Sequence, residues 1–152
     1  MYSINGKRFY CRAIEGRILT SWQNDVNHDS KLSVRDKVTV SIDGTKTYRL
    51  WNTDLVHCST SGDVYINVTG NSDMDGNYYR YYERKKEVIM TKTTKSRLDA
   101  FLNYYGFGSL KVRSNWKDWS IKYDGEKLEV DNWYKLDLEN KKLVLIGHYL
   151  TK

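Results

Sequence analysis

The residues best suited to chemistry in this sequence lie in one stretch, 78–97, where tyrosines are interleaved with lysines and arginines. The stretch holds seven Lys or Arg and two Glu, a net charge of +5, and the whole chain of 152 residues carries +6. Cations neutralise phosphates and release counterions, and aromatic faces stack on exposed bases. Tyr and Arg are also common anchors at protein interfaces. The stretch therefore predicts a binding surface, although a strand pair with inward tyrosines and a solvated basic face would give the same pattern.

We predict a partner-binding site that joins this stretch to the start of the helix that follows it. The predicted site residues are Tyr78, Tyr79, Arg80, Tyr81, Tyr82, Arg84, Lys85, Lys86, Lys92, Thr94, Lys95 and Arg97. A helix N-terminus offers free backbone N–H groups and a positive dipole end, so hydroxyls and cations beside it suit a phosphate or a carboxylate. Ordinary capping with solvated Lys and Arg side chains is the alternative interpretation.

No pattern in the sequence predicts catalysis, a metal site or a cofactor site. His57 and Cys58 are adjacent, and adjacent residues on a strand point to opposite faces, so they would not act together directly. The segment 71–76 resembles the start of a calcium-binding loop, but Tyr82 occupies the twelfth position, where the loop needs Glu. Cys11 and Cys58 lack the spacing of a zinc site and are expected to be plain thiols. We therefore expect a protein that is not an enzyme and uses no cofactor.

Alternating hydrophobicity and turn residues predict an α+β fold, with an antiparallel, hairpin-built sheet packed by one main amphipathic helix. Asp-Gly pairs at 43–44 and 124–125 predict tight hairpins, and a third hairpin is expected around 139–142. The segment 22–33 is polar and predicts a loop or a short irregular helix. The predicted strands span 8–14, 38–42, 45–50, 63–68, 79–90, 111–113, 118–123, 127–130, 133–138 and 143–149.

The helix is predicted over about 95–105, because apolar residues recur there at i, i+3, i+4 and i+7. Thr94 or Ser96 is the expected N-cap, and Gly106 is expected to end the helix in the left-handed conformation. A long turn is predicted over 71–77, before the basic strand.

Length and composition predict a single domain over 1–152, because no linker-like segment divides the chain. No apolar run approaches the roughly 18 residues that span a bilayer. The first residues are not an apolar signal segment. We therefore expect a cytoplasmic protein that does not contact a membrane.

The middle of the chain resembles an uncharacterised family of small domains found in bacteriophages and other bacterial mobile elements. The residues that carry the resemblance lie at 48–56, 61–67, 93–102 and 116–121. The pattern Thr93-Thr94-Lys95-x-Arg97 at the helix start is its most specific part. Where the family has a short Gly-Gly-Trp step before this helix, the chain has the longer Tyr-rich segment 71–90. The resemblance implies a compact strand-and-helix fold and a phage-type origin, and it implies no catalytic residues.

The expected function is binding, with two classes of partner left open; a small hydrolase is a third and much weaker alternative. The first is a host or defence protein or ribonucleoprotein complex in the bacterial cytoplasm, which the protein would dock on and inhibit, as an anti-CRISPR protein does. The alternative is direct binding of DNA or RNA through the same basic Tyr-rich surface. A basic chain does not suit mimicry of DNA, so the first class would act by contact with the complex or with its bound nucleic acid.

Overall fold

The structure, a computed structural model, describes residues 2–4, 7–9, 11–24, 26–69, 90–113 and 120–150. Two helices and twelve strands in these ranges confirm the predicted α+β class. In chain order the elements are β1 (Tyr2–Ile4), β2 (Lys7–Phe9), α1 (Ala13–Gln23), β3 (His28–Lys31), β4 (Asp36–Val40), β5 (Lys46–Leu50), β6 (Thr53–Cys58), β7 (Val64–Val68), α2 (Lys92–Tyr104), β8 (Lys111–Arg113), β9 (Ser120–Tyr123), β10 (Glu126–Lys127), β11 (Asn132–Asp137) and β12 (Lys142–Gly147).

The largest element is a seven-stranded antiparallel sheet in the order β12-β11-β7-β6-β5-β4-β3. One row of directly paired residues crosses five of its strands and is buried: Val38, Tyr48, Val56, Ile66 and Tyr134. Strands alternate their side chains between the two faces, so this row defines the core face. Both helices pack against that face, with the Phe101 ring 4.9 Å from the Trp22 ring and 5.3 Å from the Tyr48 ring between centroids.

The three predicted hairpins are confirmed by strand register. Thr39 pairs with Thr47 around the first turn, Tyr123 with Glu126 around the second, and Asp137 with Lys142 around the third. Gly44 and Gly125 lie at φ +93° and +81°, the left-handed region that glycine enters without steric cost. The turn chemistry that the sequence shows therefore sets these registers.

The structure has a second helix, α1, in addition to the predicted main helix, which is α2. α1 occupies the end of the predicted strand 8–14 and the start of the segment 22–33, which was predicted as a loop or a short irregular helix; β3 occupies residues 28–31 of the same segment. Ile18, Leu19 and Trp22 are buried on one side of α1, so the helical period was present in the sequence. β6 was also missed, and the predicted strand 79–90 lies outside the described residues except for Met90.

Two smaller sheets complete the described part of the fold. β8, β9 and β10 form a three-stranded antiparallel sheet in the order β10-β9-β8, and β1 pairs with β2. Ile121 anchors the three-stranded sheet in the core, and the hydroxyl of Tyr123 accepts a hydrogen bond from the backbone N–H of Gly108 at 3.0 Å. None of the helices in the described ranges has the length and apolarity needed to cross a membrane.

Candidate functional site: a basic groove

A row of lysines concentrates positive charge on the three-stranded sheet. Lys122, on the central strand β9, is directly paired with Lys111 of β8 and with Lys127 of β10. Directly paired residues lie on one face with their Cβ atoms about 5 Å apart, and like charges in that arrangement are destabilising. Within the described ranges, no carboxylate lies at ion-pair distance from these three lysines. We call these residues the lysine row.

Two members of the lysine row line a cavity of about 440 Å³ between the small sheet and α2. Four cations and no carboxylate are among its described lining residues. Its polar side chains are Lys95, Ser109, Lys111, Arg113, Ser120 and Lys122. The cavity therefore concentrates positive charge beside hydroxyl groups, which is the chemistry that binds a phosphate.

A second cavity, of about 380 Å³, continues from the first along α2. The two cavities share Lys95 and Ser109 as lining residues, so together they form one path, which we call the basic groove. The lining residues of the second cavity run along α2 from Lys92 to Asn103, about 16 Å at 1.5 Å per residue. Among the described lining residues of both cavities, six cations face two carboxylates: Arg12, Lys92, Lys95, Lys111, Arg113 and Lys122 against Glu15 and Asp99.

Both carboxylates of the groove already have partners in the protein. Asp99 accepts a hydrogen bond from the backbone N–H of Leu110 at 2.8 Å and an ion pair from Lys95 at 2.5 Å. Asp99 thus fixes the loop before β8 against α2 and holds the Lys95 ammonium between the two cavities. Glu15 is held by groups behind the groove, so the charge that the groove presents to solvent is strongly positive.

Cations on the outer face of the seven-stranded sheet are arranged differently. Lys37 pairs with Asp29 at 3.3 Å, and Lys135 pairs with Asp63 at 3.6 Å. Arg49 is hydrogen-bonded to Asp54 at 2.8 Å. This face also has a row of directly paired cations, Lys31, Lys37 and Arg49. Two of the three have carboxylate partners, so the face is more nearly balanced in charge than the basic groove.

Behind the groove, a buried ion-pair network ties the two helices to the sheet. The Arg97 guanidinium donates to Glu15 of α1 at 2.9 Å and to Asp36 of β4 at 2.8 Å. The Tyr48 hydroxyl also donates to Asp36, and the Ser96 hydroxyl donates to Glu15 at 2.7 Å. Arg97, Asp36 and Glu15 are each at least 95% buried in their side chains. The network therefore positions α2 and, through it, the wall of the groove.

The surroundings of Asp36 and Arg97 favour the ionised forms of both side chains. Burial alone would raise the pKa of Asp36, but hydrogen bonds from Arg97, Ser33 and Tyr48 more than offset it and hold that pKa below its ordinary value. Burial would lower the pKa of Arg97, but the hydrogen bond to Asp36 and the surrounding negative charge raise it. Burial raises the pKa of Tyr48 far above its ordinary value, so its hydroxyl stays a donor.

The predicted site residues that the structure describes fall into two groups, one at the surface of the groove and one in the interior. Lys92 and Lys95 line the basic groove. Thr94 and Arg97 instead lie in the interior, 0% and 1% exposed, where a partner cannot reach them in the folded protein. The helix begins at Lys92 rather than near 95, and Thr91 caps it by accepting from the Thr94 backbone N–H at 3.0 Å. The remaining predicted residues, Tyr78, Tyr79, Arg80, Tyr81, Tyr82, Arg84, Lys85 and Lys86, lie outside the described residues.

The groove cations that sequence reasoning missed are Arg12, Lys111, Arg113 and Lys122. Each belongs to a strand that was predicted, but no excess of charge marks them, because the parts of the chain on either side of 78–97 are nearly balanced in charge. One signal was present: a two-residue turn at 124–125 forces Lys122 opposite Lys127. The pairing of Lys122 with Lys111 depends on the placement of β8, which no turn specifies.

Comparison with known proteins finds that no protein-family model, no curated protein and no solved structure matches this chain. The resemblance to a phage-type domain family therefore stays a prediction from the residues that carry it.

Proposed function

We propose that this protein binds nucleic acid through the basic groove, with the lysine row and Lys95 contacting phosphates. The observation that carries the proposal is the direct pairing of Lys111, Lys122 and Lys127 across three strands. Like charges directly opposite one another are destabilising, and an anion that lies on the row would relieve this repulsion. A phosphate backbone supplies regularly spaced anions, and their neutralisation releases counterions.

The chemistry of the groove favours contacts to phosphates over contacts to bases. Its described lining residues offer ammonium, guanidinium and hydroxyl groups, and none of them is aromatic. Phosphate contacts fix the position of a nucleic acid but carry no sequence information. The groove is therefore proposed as a sequence-tolerant site, and any stacking on bases would come from the Tyr-rich stretch predicted above.

The test is fluorescence anisotropy with labelled single-stranded DNA, duplex DNA and RNA over a series of salt concentrations. If all six groove cations contact phosphates, log K against log salt has a slope of about −4 for a single strand and about −5 for a duplex. The variant Lys111→Ala/Lys122→Ala removes two contacts. We expect it to make the slope shallower by about 1.4 for a single strand and about 1.8 for a duplex.

The matched control is Lys37→Ala/Lys135→Ala, which removes the same charge from the outer face of the large sheet. Both of its lysines are in surface ion pairs, whose loss costs about 1 kcal/mol or less each. We expect this control to keep nearly the wild-type slope. Equal slopes for the groove variant and the wild-type protein would refute the site. An equal change of slope in the groove variant and in the control would also refute it, because a diffuse effect of net charge would change both variants alike.

Docking on a host or defence complex is the second candidate, and one observation favours it. Trp51 occupies the first position of a two-residue turn with φ +53°, where a bulky residue costs about 1 kcal/mol or more. It is 38% exposed, and its backbone N–H donates to Arg35 O at 2.7 Å, beside the 80% exposed Val34. Trp and Arg are the commonest anchors of protein interfaces, and strain persists where function requires it.

The anisotropy experiment also separates the two candidates. Failure of the wild-type protein to bind all three nucleic acids at low salt would rule out the direct proposal and leave docking on a complex. In that case the lysine row would contact only nucleic acid that is already bound in the partner complex. Trp51 would then be the residue to substitute first.

A further inference from the structure

The cations of the first cavity of the basic groove surround a recess. Leu110 and Ser120 line this cavity although they are only 1% and 9% exposed, so they form its floor. Lys111 and Arg113 lie two residues apart on β8 and therefore on one face of the small sheet, and Ser120 is directly opposite Arg113. Lys95 of α2 lies on the other side of the cavity, and its side chain is 35% exposed. A phosphate must enter the recess to contact the cations on both sides.

The length of the groove is one over which a duplex behaves as a straight rod. The lining of the second cavity extends for about 16 Å along α2, which is the rise of roughly five base pairs at 3.4 Å each. The persistence length of duplex DNA is about 50 nm, so five base pairs do not bend to follow a recess. A duplex keeps its phosphates on its convex outer surface. It would therefore contact the rim of the basic groove and not its floor.

A single strand is not limited in this way. Its backbone bends between nucleotides, and proteins that bind single strands without sequence preference hold them in positively charged grooves that follow the backbone. None of the described lining residues of the basic groove is aromatic, so the groove itself offers no surface on which bases stack. The phosphates of a single strand would thus occupy the recess, and the bases would face outward.

We infer that the nucleic acid in the basic groove is a single strand, held by its phosphates inside the recess; this inference rests on the proposed function. The described lining residues carry six cations and two carboxylates, a net charge of six minus two, or +4. Four phosphates would neutralise this net charge, and six would give each cation its own contact. The site should therefore span about four to six nucleotides, at the lower end of the range for domains that bind single strands.

Two lysines distinguish a strand in the recess from a duplex on the rim. Lys127 belongs to the lysine row but is not among the described lining residues of either cavity, so a duplex on the rim could reach it. Lys95 lines both cavities. Lys95→Gln and Lys127→Gln each remove one positive charge. We expect Lys95→Gln to weaken binding of a single strand more than binding of a duplex, and Lys127→Gln to weaken binding of the duplex at least as much.

The test is competition anisotropy with the whole chain and a labelled single strand of twelve nucleotides. The competitors are an unlabelled strand without self-complementarity, the same strand annealed to its complement, and strands of two to twelve nucleotides. We expect the strand to bind at least about tenfold more tightly than its duplex, which corresponds to the loss of one charge-assisted contact in the duplex. The affinity should rise steeply with length up to about four to six nucleotides and only slowly beyond that.

Failure of this inference and failure of the proposed function give different results. A duplex that competes as well as its strand would overturn the inference and leave nucleic-acid binding intact. The same holds for an affinity that rises by a constant factor with every nucleotide up to twelve, and for equal effects of Lys95→Gln on strand and duplex. A labelled strand that does not bind at low salt would overturn the proposed function, and the inference with it.

Discussion

The variant Arg97→Ala tests whether the buried network, rather than a surface site, accounts for this arginine. It removes the guanidinium from Glu15 and Asp36, whose side chains are 5% and 0% exposed, and leaves two buried carboxylates without their counter-charge. Breaking a buried ion pair by removal of one partner costs about 3–5 kcal/mol. Since the free energy of unfolding of a protein of this length is about 5–15 kcal/mol, the loss is a large share of its stability.

The loss can be measured by urea unfolding and by thermal unfolding, followed by circular dichroism. At about 2–4 °C per kcal/mol for a domain of this size, the melting temperature should fall by roughly 6–20 °C. Arg97→Lys should also destabilise, because one ammonium cannot reproduce the forked contacts to two carboxylates. The control is Lys95→Ala, two residues earlier, whose ion pair with Asp99 is partly exposed and costs about 1 kcal/mol or less.

Coupling between the partners distinguishes a network from a general effect of substitution in the core. The double variant Asp36→Asn/Arg97→Ala should cost less than the two single variants together, because each single variant leaves a charge unpaired. A loss below about 1 kcal/mol for Arg97→Ala would show that the network contributes little, since the rule for buried pairs predicts several times that value. Additive single variants would refute the coupling.

Two further predictions concern the same helix and its partners. Because the folded pKa of Asp36 is lowered, its contribution to stability is fully present above its unfolded pKa of about 3.9 and is lost as pH falls through the folded value. The free energy of unfolding, measured in urea between pH 2 and pH 6, should therefore fall below about pH 4, and Asp36→Asn should flatten that dependence. Thr91→Ala removes the hydroxyl that caps α2 and should cost about 1 kcal/mol, whereas Thr91→Ser should retain most of the stability. An unchanged unfolding midpoint for Thr91→Ala would show that another group caps the helix.

The sequence predicted the elements whose signals are local. Gly44 and Gly125 fixed two hairpin registers, and Gly106, at φ +85°, ends α2 as expected. β6 was missed because its burial pattern is irregular: both Leu55 and Val56 are buried beside a register shift in the pairing with β5. A strict alternation does not survive a bulge, so period-two reasoning cannot find such a strand.

The candidate site was predicted less well than the fold, because a site depends on which strands meet. Lys111 and Lys122 are separated by eleven positions in the sequence and become neighbours only through the pairing of β8 with β9. Lys92 and Lys95 were predicted from the charge of their own segment, and the structure places them at the groove. A count of charge along the chain finds residues such as Lys92 and Lys95, which lie in a basic segment. It misses residues such as Lys111 and Lys122, which only strand pairing brings together.

The helix α2 shows why charge alone could not separate binding residues from structural ones. Its residues at 92, 95, 96, 99 and 103 follow the i, i+3, i+4, i+7 and i+11 spacing of one face, and that face lines the basic groove. Thr94, Arg97, Leu98 and Phe101 follow the same spacing on the opposite side and are buried. Arg97 and Lys95 thus share a segment and a charge but not a face. Applied to the sequence, the 3.6-residue period would have placed Arg97 with Leu98 and Phe101, and a buried arginine next to such residues requires acidic partners elsewhere in the core. Glu15 and Asp36 meet that requirement, so the cation that the sequence suggested for binding instead holds the wall of the groove in place.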